Sequence, residues 1–183
     1  MRDIVAAKQA ALAHIQSNGF GTVPIGIIDA KTKEFDAGWV FTYQSVRFLE
    51  TNDIQDSLLG GAPVFVPRTD SPPTSISYHR PVEESIAAFN ACGDANGTLS
   101  SEVILTGWRF GVLAFKAISA IRIHSTLGLA EAKRVVDECL VDREATVMAK
   151  SVEDARELVR KLDEFGIVAK VTYQGYGREA GAS

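Results

Sequence analysis

Apolar positions in the second half of the chain fall alternately into strand and helix periods. Glu102-Val103-Ile104-Leu105 predicts a strand. Val112, Phe115, Ile118 and Ile121 recur every three residues, the spacing of one helix face. Leu129, Ala132, Val136, Cys139 and Leu140 predict a second helix. Between them, Gly128 predicts a corner where two helices meet closely and the backbone takes positive φ. Ala145-Thr146-Val147-Met148 predicts another strand. Ser151, with Asp154 three residues on, predicts a helix cap. The apolar stripe Val152, Ala155, Leu158, Val159, Leu162 and Phe165 follows, and Gly166 stands where a left-handed terminator belongs. Ile167, Ala169, Val171 and Tyr173 then alternate with polar neighbours as in a half-buried strand. The predicted order is strand, helix, helix, strand, helix, strand.

The first half is less regular. Residues 3–16 predict a helix with Ile4, Ala7, Ala11 and Ile15 on one side, ended by Asn18-Gly19. Val23–Ile28 predicts a strand whose start is marked by Pro24. Trp39, Phe41 and Tyr43 alternate with Val40 and Thr42 as one strand should. Pro63–Val66 predicts a further strand, and Pro81 suits the opening of a helix. Trp39 and Phe41 are each large enough to anchor a small core. Gly60, Gly61 and Pro63 read as a turn, because a phosphate-binding loop would need a strand before it, a helix after it and usually a lysine.

The fold class implied is α+β, in two small domains. The first spans 1–91, a turn-rich linker covers 92–100, the second spans 101–173, and a flexible tail occupies 174–183. Charge divides along the same line. Residues 1–98 carry 7 Lys+Arg against 11 Asp+Glu, and residues 99–183 carry 12 of each. The acidic character of the first half argues against nucleic-acid binding, which needs a basic patch; it fits a solvated surface that aids solubility and is also compatible with a basic protein partner. No apolar run approaches the ~20 residues of a membrane helix, and the start of the chain lacks the apolar core of a signal peptide. Two cysteines, Cys92 and Cys139, are too few for a disulfide framework. Reduced thiols and a cytoplasmic location are expected.

Candidate chemistry is sparse. The three histidines, His14, His79 and His124, are scattered, and none has metal-ligand spacing to another ligand. No serine sits in a G-x-S-x-G elbow. Glu83-Glu84 opens a helix, where acids are favoured by the dipole. The expectation is a protein that is not an enzyme and uses no metal and no cofactor. Glu50, Asp53 and Asp56 fall on an expected exposed loop and are candidates for pairing with basic groups of a partner.

Two resemblances bear on function. Gly38-Trp39-Val40-Phe41-Thr42-Tyr43-Gln44-Ser45, Phe48–Asp53, Leu59-Gly60-Gly61-Ala62-Pro63-Val64-Phe65-Val66 and Pro81–Ile86 together resemble the immunity protein 35 family. That likeness implies a small bacterial protein that binds the catalytic domain of a cognate polymorphic toxin, one to one, and occludes its active site. Ser85 stands where the family usually has an aromatic residue. In the second half, Ile121-Arg122, Leu127–Lys133 and Ser151–Ala155, with the element order above, resemble the C-terminal domain of the bacterial ribosomal stalk protein. That likeness implies a face for translation GTPases, involving Lys116, Arg122, Gly128 and Lys133. Ser119 replaces a usual lysine there, and His124 a small residue. Combined with the first likeness, it implies a toxin acting on translation, such as an ADP-ribosyltransferase. The alternative implied is a translation-associated accessory protein that binds a GTPase.

Overall fold

A computed structural model describes residues 1–20 and 22–175, in two compact units: Met1–Gly97, and a second beginning at Thr98. Each is α+β. The tail expected over 174–183 lies, from residue 176 onward, outside the described residues.

The first unit opens with α1 (Ile4–Ser17), capped by the Asp3 side chain, which accepts from the Ala6 amide. Its main sheet is antiparallel, in the order β2 (Lys33–Phe35), β3 (Gly38–Phe41), β5 (Val64–Pro67), β6 (Thr74–Ser75). β1 (Ile25–Ile27) and β4 (Tyr43–Ser45) form a separate pair. The helices α2 (Val46–Thr51) and α3 (Val82–Cys92) complete the unit. The single strand expected through Trp39–Tyr43 is thus two strands in two sheets, broken at Thr42, whose carbonyl accepts instead from the Ile28 amide.

Every residue of β3 and β5 is buried, so this sheet has no polar face. Trp39, Phe41, Val64 and Val66 cluster with Ala7, Ala11 and Ile15 of α1. Val40 and Phe65 cluster on the other side with Ile76 and Ile86, and the Phe65 and Phe89 rings meet edge-on at 4.9 Å. Alternation along β3 therefore sorts side chains between two cores. Burying rings of this size dominates the energetics of a small unit. The Trp39 indole N–H has no partner among the described residues, and the Arg68 guanidinium lies 4.2 Å from its ring centroid.

The linker expected over 92–100 contracts to Gly93–Gly97. Cys92 ends α3, Gly93 takes the left-handed cap at φ 77°, and Thr98 already begins a strand. Arg80 fixes this turn. Its guanidinium donates to the carbonyls of Ala95 and Gly97, and its Nε donates to Ser85 Oγ at 3.0 Å.

The second unit follows the predicted order. β7 (Thr98–Trp108) is the centre of a three-stranded antiparallel sheet, flanked by β8 (Ala145–Met148) and β9 (Ile167–Gln174). Between them come α4 (Ala114–His124), α5 (Leu129–Leu140) and α6 (Val152–Glu164). Val103, Leu105, Ala145, Val147 and Ile167 form one buried face, against Ala117, Ile121, Val136, Leu158 and Leu162. Thr146, Met148, Val168 and Lys170, on the other face, are exposed. β7 is longer than the expected Glu102–Leu105 because it carries irregularities between Leu99 and Val103 and between Leu105 and Gly107, which break the alternation read from sequence.

Two expectations about the helices are corrected. Phe115 and Leu129 are 80% and 57% exposed, so neither belongs to the core; Ala117, Ala120 and Ala132 take the inner positions, which lets the helices approach closely. Gly128 is not a strained corner. It is the N-cap of α5 in extended backbone, φ −72° and ψ 175°, and a Cβ there would meet only Glu131 Oε2, at 3.4 Å. Glu131 reaches back to accept from the Gly128 amide at 2.8 Å. The demanding glycine of the second unit is Gly166, at φ 84°, where a Cβ would lie 3.1 Å from Val112 Cα. No helix among the described residues is long and apolar enough to cross a membrane.

Candidate functional site

The acidic candidates of the first unit lie on α2 and the loop after it. This segment is pinned from beneath. Ser45 Oγ accepts from the Phe48 amide at 2.9 Å, which caps α2, and donates to the Asp56 carbonyl. Gln44 Oε1 accepts from the Leu58 amide at 2.7 Å while its Nε2 donates back to the Leu58 carbonyl. Asn52 ends α2 in the left-handed region, φ 56°, a conformation Asn tolerates. The backbone of this segment is thereby tied to β4 at Phe48, Asp56 and Leu58.

Within that frame the three candidates part company. Glu50 and Asp53 are exposed. Asp53 is also structural, because its Oδ1 accepts from the Gln55 amide at 2.9 Å and caps a short 3-10 turn. Asp56 is not free for a partner. Its side chain is only 20% exposed, Oδ2 pairs with Arg47 Nε at 3.0 Å, and Thr51 Oγ1 donates to it at 3.3 Å. Of the three carboxylates expected to meet a partner, Asp56 is drawn inward by a hydroxyl and an arginine within reach.

Sequence reasoning missed the apolar members of this surface. Ile54 and Leu59 are 78% and 89% exposed, and Leu49 is 40% exposed beside them in sequence. Two large exposed aliphatic side chains share this pinned segment with the exposed Glu50 and Asp53, a mixture of apolar and acidic groups suited to a basic, partly apolar partner surface. The signal was present as isolated apolar residues in a polar stretch, which has no helical or strand period to flag it.

The basic candidates of the second unit do not converge on one site. Lys116, on α4, lies over the Phe165 ring at 5.8 Å and lines a groove between α4 and α6. Lys133 lines a separate shallow depression along α5 with Arg134, Asp137 and Glu138. Arg122 is exposed on α4, six residues and a different helix face from Lys116. Gly128 shapes the start of α5 and offers no side chain. His124 turns out to be structural: its Nδ1 is 2.9 Å from Asp154 Oδ1, tying the end of α4 to the first turn of α6. That hydrogen bond, then one from Ser151, holds the Asp154 carboxyl below the usual carboxylate range.

Among the described residues no group of three or more His, Cys, Asp or Glu side chains could hold a metal ion. Cys92 and Cys139 are both free thiols. Cys139 is fully buried, and its Sγ donates to the Gly107 carbonyl at 3.3 Å; burial pushes its pKa up and keeps it protonated.

No curated protein matches the chain, and no solved structure matches it. Residues 5–88, nearly the whole of the first unit, match the protein family described as immunity protein 35.

Proposed function

We propose that this protein is an immunity protein that binds a cognate bacterial toxin and neutralises it by occluding the toxin's active site or the path of its substrate. The observation that carries the reading is the family match over residues 5–88. The pinned surface of Glu50, Asp53, Ile54 and Leu59 supports it, because it offers aliphatic anchors and negative charge to a basic cleft. A complex of ordinary specificity buries ~1,600 Å² in total. The loop is then the centre of the contact and not its whole area.

The second unit is proposed to serve as a further clamp or as a decoy for a translation-machinery surface. The resemblance of its sequence to the stalk domain is the sole ground for proposing a toxin directed at a translation factor, such as an ADP-ribosyltransferase. The test is co-expression with toxin catalytic domains, beginning with any found in the adjacent reading frames, with growth and complex formation followed as the ratio is varied. Protection that saturates at one protein per toxin is expected. Protection by sub-stoichiometric protein would mean enzymatic reversal and overturn the reading. Retention of a translation GTPase, with no toxin bound, would favour the accessory role instead. Glu50→Lys with Asp53→Lys is expected to slow association with the toxin about tenfold or more at low salt, and far less at high salt.

A further inference from the structure

The two edges of the second unit's sheet are not alike. β8 is four residues long, and its inward side chains Ala145 and Val147 are 4% and 0% exposed. Ala149, just beyond it, is bridged by Ser125. β9 is eight residues long, and no strand among the described residues pairs with its outer edge. Its inward row, Ala169, Val171 and Tyr173, is only half-buried, although Ala169 and Val171 pack on the same core. The usual guards of an open edge are sparse on β9. It contains no proline, the extra residues at both irregularities belong to β7, and Lys170 is its one charge.

Hydrogen bonds fix which main-chain groups on that edge are open. The Gly166 carbonyl accepts from the Arg109 amide at 2.8 Å, and the Val168 carbonyl accepts from Thr106 Oγ1 at 3.4 Å. The even-numbered residues of β9 therefore face β7. Direction alternates along an antiparallel strand, so the amides and carbonyls of Ile167, Ala169, Val171 and Tyr173 point outward. The other sheet face carries Glu102, Lys170 and Thr172. Glu102 Oε2 accepts from Thr172 Oγ1 at 3.0 Å. Neither Glu102 nor Lys170 has an ion partner among the described residues.

We infer that β9 pairs antiparallel with β9 of a second copy of this chain, about a two-fold axis at Val171, and joins the two three-stranded sheets into one. This register puts outward main-chain groups against outward ones and sets Ala169 opposite Tyr173, small against large. It also sets Lys170 opposite Thr172 of the second copy. Behind that threonine stands the second copy's Glu102, two strand spacings or about 10 Å from Lys170 and within the joint reach of the two side chains. Symmetry makes this contact twice, so two charges that lack a partner within one chain find it in the other. The neighbouring register, with its axis at Lys170, would oppose that ammonium to its own counterpart. An unrelated strand would satisfy the main chain equally but would bring no carboxylate to Lys170; the copy does. The pairing uses only the second unit and does not rest on the toxin reading.

The test is sedimentation velocity of the full chain over a range of concentrations. A reversible rise from 19.7 kDa toward twice that mass is expected. Lys170→Glu and Glu102→Lys, each alone, oppose like charges across the axis and should weaken association about tenfold. Mixing the two single variants should restore it as pairs of unlike chains, since each then meets the complementary charge on the other. That rescue cannot arise within one chain. Hydrogen exchange read by NMR should show the outward amides of Ala169, Val171 and Tyr173 slowing only at concentrations where the dimer forms. A chain that stays monomeric at every concentration would overturn the inference. So would single variants that associate like the wild type, a mixture no stronger than its components, or outward amides that exchange equally in monomer and dimer.

Discussion

The two units reach the same fold class by opposite means. The first packs a sheet on both faces and relies on a few large rings: Trp39, Phe41 and Phe65 are all at most 2% exposed. The second packs a sheet on one face only and relies on many small contacts, with Ala117, Ala120, Ala132, Ala145 and Ala155 among its buried residues. A two-sided core concentrates its energy at a few positions, whereas a one-sided core with alanine-lined helix contacts spreads it out. The first should therefore fail abruptly under single truncations. The second should lose less at any one side chain, and its glycines should separate into strained and unstrained positions.

The strongest test of that contrast is truncation. Phe65→Ala is expected to cost about 3–5 kcal/mol, removing a ring that touches both Val40 and Phe89. Leu158→Ala, the comparable deletion in the second core, should cost about 2–5 kcal/mol. Urea unfolding followed through Trp39 in the first unit and Trp108 in the second should show each variant shifting its own unit's transition. A single transition that moves for both variants would mean the units do not fold independently.

The next effect concerns glycines. Gly166→Ala is expected to cost on the order of 1–3 kcal/mol, from its positive φ and the approach of Val112. Gly128→Ala should cost under about 1 kcal/mol, since it trades one weak N-cap for a poorer one in permitted backbone. Equal melting temperatures for the two variants would remove the distinction.

That pair also marks what the sequence made legible. In the second unit a one-sided sheet and amphipathic helices leave a period at every element, so order, caps and most core positions follow from it. Ser151 and Gly166 behave as their spacing implies. Gly128 did not, because a glycine before a helix reads alike whether it is strained or simply a cap; only its φ separates the two. Phe115 was assigned to the core because a second apolar stripe on α4 is superposed on the buried one. In the first unit, strands buried on both faces lose their polar phase, and the break at Thr42 is fixed by a hydrogen bond from Ile28, distant in sequence. The candidate loop was legible as acidic at Glu50 and Asp53. The capture of Asp56 by Arg47 depends on the fold of α2 and could not be read from composition.

A smaller effect separates the helix joints of the second unit from its core. Asp154 is held below the ordinary carboxylate range by His124 and then Ser151. Its folded-state pKa lies below its unfolded one, so its contribution to stability is full above the unfolded value and is lost as pH falls through the folded one. Asp154→Asn should lower the melting temperature of the second unit at neutral pH, with the gap from wild type closing in acid. A gap that stays constant with pH would show that the cap, and not the charge, carries the effect.

The least perturbing comparison changes no residue. Cys92 is half-buried at the end of α3, and Cys139 is fully buried on α5. Native protein treated with iodoacetamide should alkylate at Cys92 first, while Cys139 should react only as fast as the second unit opens. Equal labelling rates, read by mass spectrometry, would show that the second core is looser than its packing implies.

The place of β7 in its sheet has a consequence for synthesis. It is the central strand, and it is made first. Both of its neighbours come later, at residues 145–148 and 167–174. During translation at about 5–20 residues per second, an eleven-residue strand with two open hydrogen-bonding edges waits for seconds before either edge is covered. Its irregularities, and the serines and glutamate of its Thr98–Glu102 end, make it a poor template for another chain in that interval. The departures from regular alternation that obscure this strand in the sequence are thus also what protects the nascent chain while it is incomplete.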